Sequence, residues 1–344
     1  MMPKVPESVV KESYLLRSTF TYNRLRSEGY FELFMKISKF ARIEGPKLNW
    51  DSRSEWNISE EAWTILQTNK IAPMLVFLHP KVLQLNPSFL KYYRSVSLIP
   101  QKGLSTLSRV SNVDNIEGGK VEAGRLKQEQ IDKLVRTINE TLSLVVTLAS
   151  DLNEKKIEGM MYATAGVKID GSWRNQIGAE GERVIRRIIF NELFAHSEIS
   201  SIENKKDVLT EIAQWDANWD IDEIKKIHLI NGYSILFSSE PDVTMYNDSG
   251  DIVGVIEIKS GLDPAGALER LGAMFKSFEN TLAEYPDAVT ILVASCITNE
   301  VDKRLNASMS VRQRYLTTDI TSSDAEKRKF VNRLRIIMQL VGRK

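Results

Sequence analysis

Two carboxylates and an ammonium group fall within one short stretch of this chain. It runs from Pro241-Asp242 through Val243-Thr-Met-Tyr246 to a turn cluster, Asn247-Asp-Ser-Gly-Asp251, and on to Ile252-Val-Gly-Val-Ile-Glu257-Ile-Lys259. Apolar runs on either side of an Asn, Asp, Ser and Gly cluster predict a β-hairpin. Glu257 and Lys259 are two apart, so a strand sends both side chains to one face. If Asn247 pairs with Ile252, the same register sets Asp242 opposite Glu257. Opposed residues have β-carbons about 5 Å apart, and like charges there repel. Val253, Val255, Ile256 and Ile258 make both faces of the second strand apolar, which implies burial on both sides. Buried charges need partners or a metal. Oxygen-only ligands suit Mg2+, which binds through one or two carboxylates plus water and phosphate oxygens. Such a cation polarises a phosphodiester, acidifies the attacking water and stabilises the leaving oxygen. Lys259 would position the water or offset phosphoryl charge. The expected chemistry is hydrolysis of a nucleic-acid backbone.

Context separates this cluster from chance. Glu-x-Lys also occurs at Glu154/Lys156, Glu203/Lys205 and Glu223/Lys225, each in a polar, solvated segment. Only Glu257/Lys259 lies on an apolar strand, with Pro-Asp on the preceding strand at matching register. The elements that must carry the hairpin follow from periodicity. After a Gly-containing segment, Thr164–Gly171, and a polar run, Ser172–Gln176, a helix is expected over Ile177–Phe194,. Another is expected over Lys206–Trp215. Strands are expected at Lys226–Ile230, Tyr233–Phe237, Asp242–Tyr246 and Ile252–Ile258. Asp263-Pro264 opens a helix whose apolar stripe is Leu268, Leu271, Met274, Phe275, Phe278 and Leu282. Ala288–Ala294, continuously apolar, reads as a central strand. A short helix over Thr298–Ala307 and a last one opened by Ser323-Asp-Ala-Glu326 complete the chain.

The first part reads as all helical. Glu7–Arg26, Phe31–Ile43 and Leu126–Ser150 have helical spacing, and Asn57 with Glu60 forms a candidate capping box,. A boundary near residue 158 divides a helical domain, 1–158, from an α/β domain, 159–344, with a mixed sheet.

The totals exclude several classes. The 344 residues carry a net charge of +1, so any DNA-binding face must be a local concentration of basic groups,. One cysteine, Cys296, rules out an internal disulfide framework and a cysteine-based zinc site,. His79, His196 and His228 lack metal-ligand spacing. No apolar run is long enough to span a bilayer, and the N-terminus has no signal core. A soluble, cytoplasmic protein without a membrane partner is expected. No Gly-x-x-x-x-Gly-Lys-Ser/Thr loop occurs, so no nucleotide cofactor is expected.

On Pro241-Asp242 and Glu257-Ile258-Lys259 the chain resembles the PD-(D/E)XK nuclease superfamily, and within it the type II restriction endonucleases. The resemblance spans roughly residues 160–300 in architecture. It implies a restriction-endonuclease-like α/β core, a mixed central sheet flanked by helices. It further implies that Asp242, Glu257 and the Ile258 carbonyl hold Mg2+ and that Lys259 serves the nucleophile. A glutamate on the preceding helix often joins such sites. Glu182 is the expected one, with Glu180 its rival.

Arg174, Asn175 and Gln176 are types that make bidentate base contacts, and at a helix start backbone donors also suit a phosphate. Arg312-Gln313-Arg314 resembles the Arg-x-Arg element of enzymes that read a CCGG core. In those enzymes it usually sits nearer the catalytic lysine. Arg312 and Arg314 are therefore candidate DNA contacts, on double-stranded DNA with a short palindromic target. A two-fold site asks for two-fold protein symmetry, so a homodimer is expected. The competing readings are a structure-specific nuclease of the same core, such as a resolvase, repair or transposase-type enzyme, and a non-catalytic DNA-binding module.

Overall fold

The computed structural model describes residues 7–149, 151–214, 220–261, 268 and 270–341. Contacts divide the chain into two units, Arg17–Trp173 and Arg174 onward, the latter with the chain start. The helical elements are α1 (Glu7–Ser27), α2 (Tyr30–Glu44), α3 (Glu60–Thr68), α4 (Pro80–Leu85), α5 (Leu90–Val96), α6 (Gln101–Ser108), α7 (Val113–Glu117) and α8 (Gln128–Leu148). On α8 the apolar residues at helical spacing, Ile131, Leu134, Val135, Ile138 and Leu142, are buried. The helix α3 is capped by Ser59, whose hydroxyl accepts from the Ala62 N–H at 3.2 Å. Asn57, the expected cap, instead takes a φ of 60° and closes the preceding turn. No helix among the described residues is long and apolar enough to cross a membrane.

Residues 164–176 differ from expectation. They form no loop but lie inside one helix, α9 (Glu154–Ala195). None of Gly166, Gly171 and Gly178 takes a positive φ. An isolated helical glycine costs only about 1 kcal/mol, which is too little to end a helix anchored on both sides of the polar run, by Ile157, Met161, Ala165 and Ile169 before it and Ile185 and Ile189 after it. Arg174, Asn175 and Gln176 thus sit mid-helix, where backbone N–H groups bond within the helix. The helix-start argument for phosphate binding does not apply to them.

The α/β unit holds an eight-stranded mixed sheet in the order β2-β1-β3-β4-β5-β6-β7-β8. The strands are β1 (Ile199–Asn204), β2 (Leu209–Glu211), β3 (Ile224–Leu229), β4 (Ser234–Phe237), β5 (Val243–Tyr246), β6 (Ile252–Lys259), β7 (Val289–Ala294) and β8 (Gln313–Leu316). Strands β1 to β6 pair antiparallel, and β6, β7 and β8 pair parallel. The helices α10 (Arg270–Glu284), α11 (Asn299–Ala307), α12 (Thr317–Ser322) and α13 (Asp324–Ile337) complete the unit. Asp263-Pro264, expected to open α10, lies outside the described residues.

The expected helix over Lys206–Trp215 is instead the β1–β2 hairpin and a short 3-10 turn, Ile212–Gln214; Trp215 lies outside the described residues. The Asn204 side-chain oxygen accepts from the N–H groups of Lys206 and Val208 at 2.9 and 3.0 Å. That local turn outcompetes a helix start.

Strand β6 is buried on both faces, as its apolar run predicts. On one side Ile256 and Ile258 join Ile185 and Ile189 of α9 and Phe330 and Leu334 of α13. On the other, Val255 joins Leu271, Met274 and Phe278 of α10 and Leu292 of β7. Glu257 and Lys259 are therefore carried on a strand with apolar packing on both faces.

Candidate active site

The β5–β6 hairpin has the expected register at Asp242 and Glu257, although not by the expected turn. Val243 pairs with Ile256, Thr244 with Val255 and Met245 with Gly254. This sets Asp242, the residue before β5, beside Glu257. At the turn end Tyr246 rather than Asn247 pairs with Ile252, because a bulge lies between Met245 and Tyr246. Asn247 closes the turn, its side-chain oxygen accepting from Ser249 and Asp251 N–H groups at 3.0 and 2.7 Å. The bulge sits on the turn side, so the pairing near Asp242 is untouched.

Asp242 and Glu257 are 4% and 3% exposed. Asp242 Oδ2 accepts from the Ile258 N–H at 2.6 Å. Lys259 Nζ donates to Glu257 Oε2 at 2.5 Å and lies 3.7 Å from Asp242 Oδ2. One ammonium thus serves two buried carboxylates. Burial pushes the Asp242 carboxyl up to about 7, helped by the charges of Glu257 and Glu182, against the lowering pull of Lys259 and the Ile258 N–H. Burial alone would lower Lys259, but Asp242, Glu257 and Glu182 together hold it above the ordinary lysine value.

Glu182 and Glu180 part company in the structure. Glu182 acts electrostatically on both Asp242 and Lys259. Its Oε2 accepts from Arg186 at 3.0 Å, and the same nitrogen of Arg186 donates to the Ser238 carbonyl at 3.0 Å, in the loop leading to Asp242. Glu180 turns to Arg183 at 2.8 Å. The approach of α9 is set by Gly181, where a Cβ would lie 1.6 Å from Ser260 Oγ. Ser260 Oγ is buried without a hydrogen-bond partner.

The arginine candidates are engaged elsewhere. The Arg312 guanidinium donates to the carbonyls of Asp287, at 3.0 Å, and Pro286, which ties the start of β8 to the turn before β7. Arg314 pairs with Asp302 of α11 at 2.9 Å. Arg174, Asn175 and Gln176 are exposed on α9.

Among the described residues no three His, Cys, Asp or Glu side chains gather as a metal-holding group. The hairpin supplies two hard carboxylates, and the buried pair is short of one positive charge. That donor set suits Mg2+, which needs only one or two protein carboxylates.

A family described as XcyI restriction endonuclease matches residues 57–341. The chain belongs to the XcyI restriction endonuclease family. Curated proteins give no match. The XcyI-family match takes in both the hairpin and the helices from α3 onward, so those helices lie within what this type II restriction endonuclease family matches. Two side chains in the site of this XcyI-family chain were not legible beforehand, Arg186 and Ser277. Ser277 Oγ donates to Glu257 Oε1 at 2.8 Å. The available signal was a hydroxyl three residues after Met274 and one before Phe278, inside an apolar stripe.

Proposed function

We propose that the protein is a Mg2+-dependent, sequence-specific endonuclease of the PD-(D/E)XK kind, hydrolysing phosphodiester bonds of double-stranded DNA at a short palindrome. The observation that carries this reading is the buried cluster of Asp242, Glu257 and Lys259 at adjoining ends of β5 and β6. Asp242, Glu257 and the Ile258 carbonyl would hold the cation. When bound, the cation supplies Lewis acidity toward the phosphate and acidifies the attacking water. Lys259, kept charged by its carboxylate neighbours, orients that water and offsets charge on the phosphoryl oxygens. The Ile258 N–H holds Asp242 in place. Glu182 would add negative charge to the site and is itself oriented by Arg186. Enclosure of β6 excludes bulk water, which strengthens every one of these interactions.

The division of labour assigns chemistry to residues 159–344 and DNA contacts or dimerisation to the helical domain, 1–158. A homodimer matches a palindromic site. For Arg312 and Arg314 to read a CCGG core, both must leave their present partners. Incubation with diverse plasmid DNA and Mg2+, followed by sequencing of the ends, tests the proposal. The expected result is metal-dependent cutting at one short palindrome. No cutting, or cutting dictated by branched structure rather than sequence, overturns it.

A further inference from the structure

The two oxygens of Glu257 are held by groups of different kinds. Oε2 accepts from Lys259, whose side chain is 25% exposed and belongs to the reacting centre. Oε1 accepts from Ser277 of α10, which is buried and touches none of the other ionised groups of the site by hydrogen bond. We propose that Ser277 is a positioning residue, whose hydroxyl fixes the Glu257 carboxylate so that Oε2 is presented beside Asp242 for a divalent cation. This rests on the nuclease reading of the site.

Three observations support it. First, the hydroxyl is delivered rigidly. Leu271, Met274 and Phe278 pack α10 against Val255 and Leu292, so the rotation of α10 about its axis is set by apolar contacts and Ser277 is carried with it. Second, Ser277 gives up the usual choice of a helical serine, which is to bond a carbonyl of its own helix. Thr281, one turn on, does take that choice and donates to the Ser277 carbonyl at 3.0 Å. Third, the division of oxygens matters once a cation arrives. A cation at Oε2 competes with the ammonium of Lys259 for the same atom, whereas Ser277 keeps its hold on Oε1. Without Ser277, an enclosed carboxylate would lose the neutral donor it has among the described residues, and with it its orientation. Partners that orient a metal-binding side chain typically change metal affinity by about 10–100-fold when removed.

The test measures Mn2+ binding to the full-length, DNA-free protein by electron paramagnetic resonance, alongside the Mg2+ concentration that gives half-maximal cleavage. Ser277→Ala is expected to weaken Mn2+ binding by about 10–100-fold and to raise the Mg2+ requirement in parallel. Ser277→Thr, which keeps the hydroxyl, is expected to stay close to the parent. If Ser277→Ala does not fold, Ser277→Val against Ser277→Thr makes the same comparison at constant shape. Unchanged Mn2+ affinity in the hydroxyl-free variants, even with a lowered melting temperature, overturns the proposal. A parent protein that fails to bind Mn2+, or an Asp242→Asn variant that binds it as well as the parent, overturns the site reading instead.

Discussion

The helical unit and the α/β unit each bury an ionic cluster, and the two are built on opposite principles. In the helical unit Arg94 and Glu117 are almost wholly enclosed, with side-chain exposures of 1% and 3%. The guanidinium meets both carboxylate oxygens, donates further to the Ile99 carbonyl at 2.9 Å, and Gln101 adds a donor to Glu117 at 3.1 Å. One positive charge faces one negative charge, and the polar atoms have partners. In the α/β unit one lysine faces two buried carboxylates with a third nearby. The first cluster is complete without a ligand. The second is short of positive charge, which is why burial lifts Asp242 to about 7. Both clusters carry desolvation, yet the second pairs two buried carboxylates with a single ammonium.

The largest expected effect breaks the second cluster. Asp242→Asn keeps the shape and removes a charge, and cleavage is expected to fall by at least about ten-thousandfold, or ~5 kcal/mol. Single-turnover cleavage at saturating Mg2+ measures it. Retained cleavage would remove the distinction between the clusters, since the second would then be structural as well.

The helical cluster is expected to respond in stability and not in chemistry. Removing one partner of a buried pair leaves an uncompensated charge and costs about 3–5 kcal/mol. Arg94→Ala should therefore lower the urea midpoint, followed by fluorescence of Trp50, Trp56 and Trp63 in that unit. An Arg94→Ala protein as stable as the parent would show that this pair is no more than tolerated.

Acidity sharpens the comparison further. Asp242 ionises at about 7 in the folded, metal-free protein, against 3.8 for an unperturbed side chain. Below about pH 4 the carboxyl is protonated in folded and unfolded chains alike, and no penalty exists. Between about pH 4 and 7 the unfolded chain ionises first, so folded stability falls. Above 7 the full penalty is present, on the order of 2–4 kcal/mol. The metal-free melting temperature should drop between pH 5 and pH 8 by more in the parent than in Asp242→Asn. Added Mg2+ should restore more stability at pH 8 than at pH 5. Parallel melting curves for parent and variant would contradict the shortage of charge.

What was legible in the sequence was what local physics decides. Alternation, a turn cluster and a doubly apolar strand give the hairpin and its buried charges. The pairing beside the site survived even though the turn closes one residue differently, because the bulge lies beyond Met245 and Gly254. Short strands that depend on distant partners were not legible. Strand β8 is a half-buried segment of four residues that becomes a strand only because β7 lies beside it. The length of α9 was misread because glycines and a polar run look like a break, whereas a helical glycine costs only about 1 kcal/mol and the apolar positions buried before and after the run anchor one continuous helix. Ser277 was hidden for a related reason, since a hydroxyl in an apolar stripe more often bonds its own helix.

The smallest expected effect concerns how α9 reaches the site at all. Gly181 passes so near the end of β6 that an added Cβ would lie 2.2 Å from the Ser260 Cβ, whereas the Ser260 Cα is 3.6 Å away. Only the serine side chain, then, forbids a larger residue at 181. Gly181→Ala should push α9 away, at about 1–3 kcal/mol of overpacking, and carry Glu182 with it. Ser260→Gly removes the offending atoms, so in the double variant the methyl meets only ordinary van der Waals contact. A double-mutant cycle on stability and on the Mg2+ requirement for cleavage should show strong coupling, with the double variant better than Gly181→Ala alone. Coupling in stability without coupling in the Mg2+ requirement would separate the packing of α9 from the placement of Glu182. It would leave Asp242, Glu257 and Lys259 as the whole of the charged machinery.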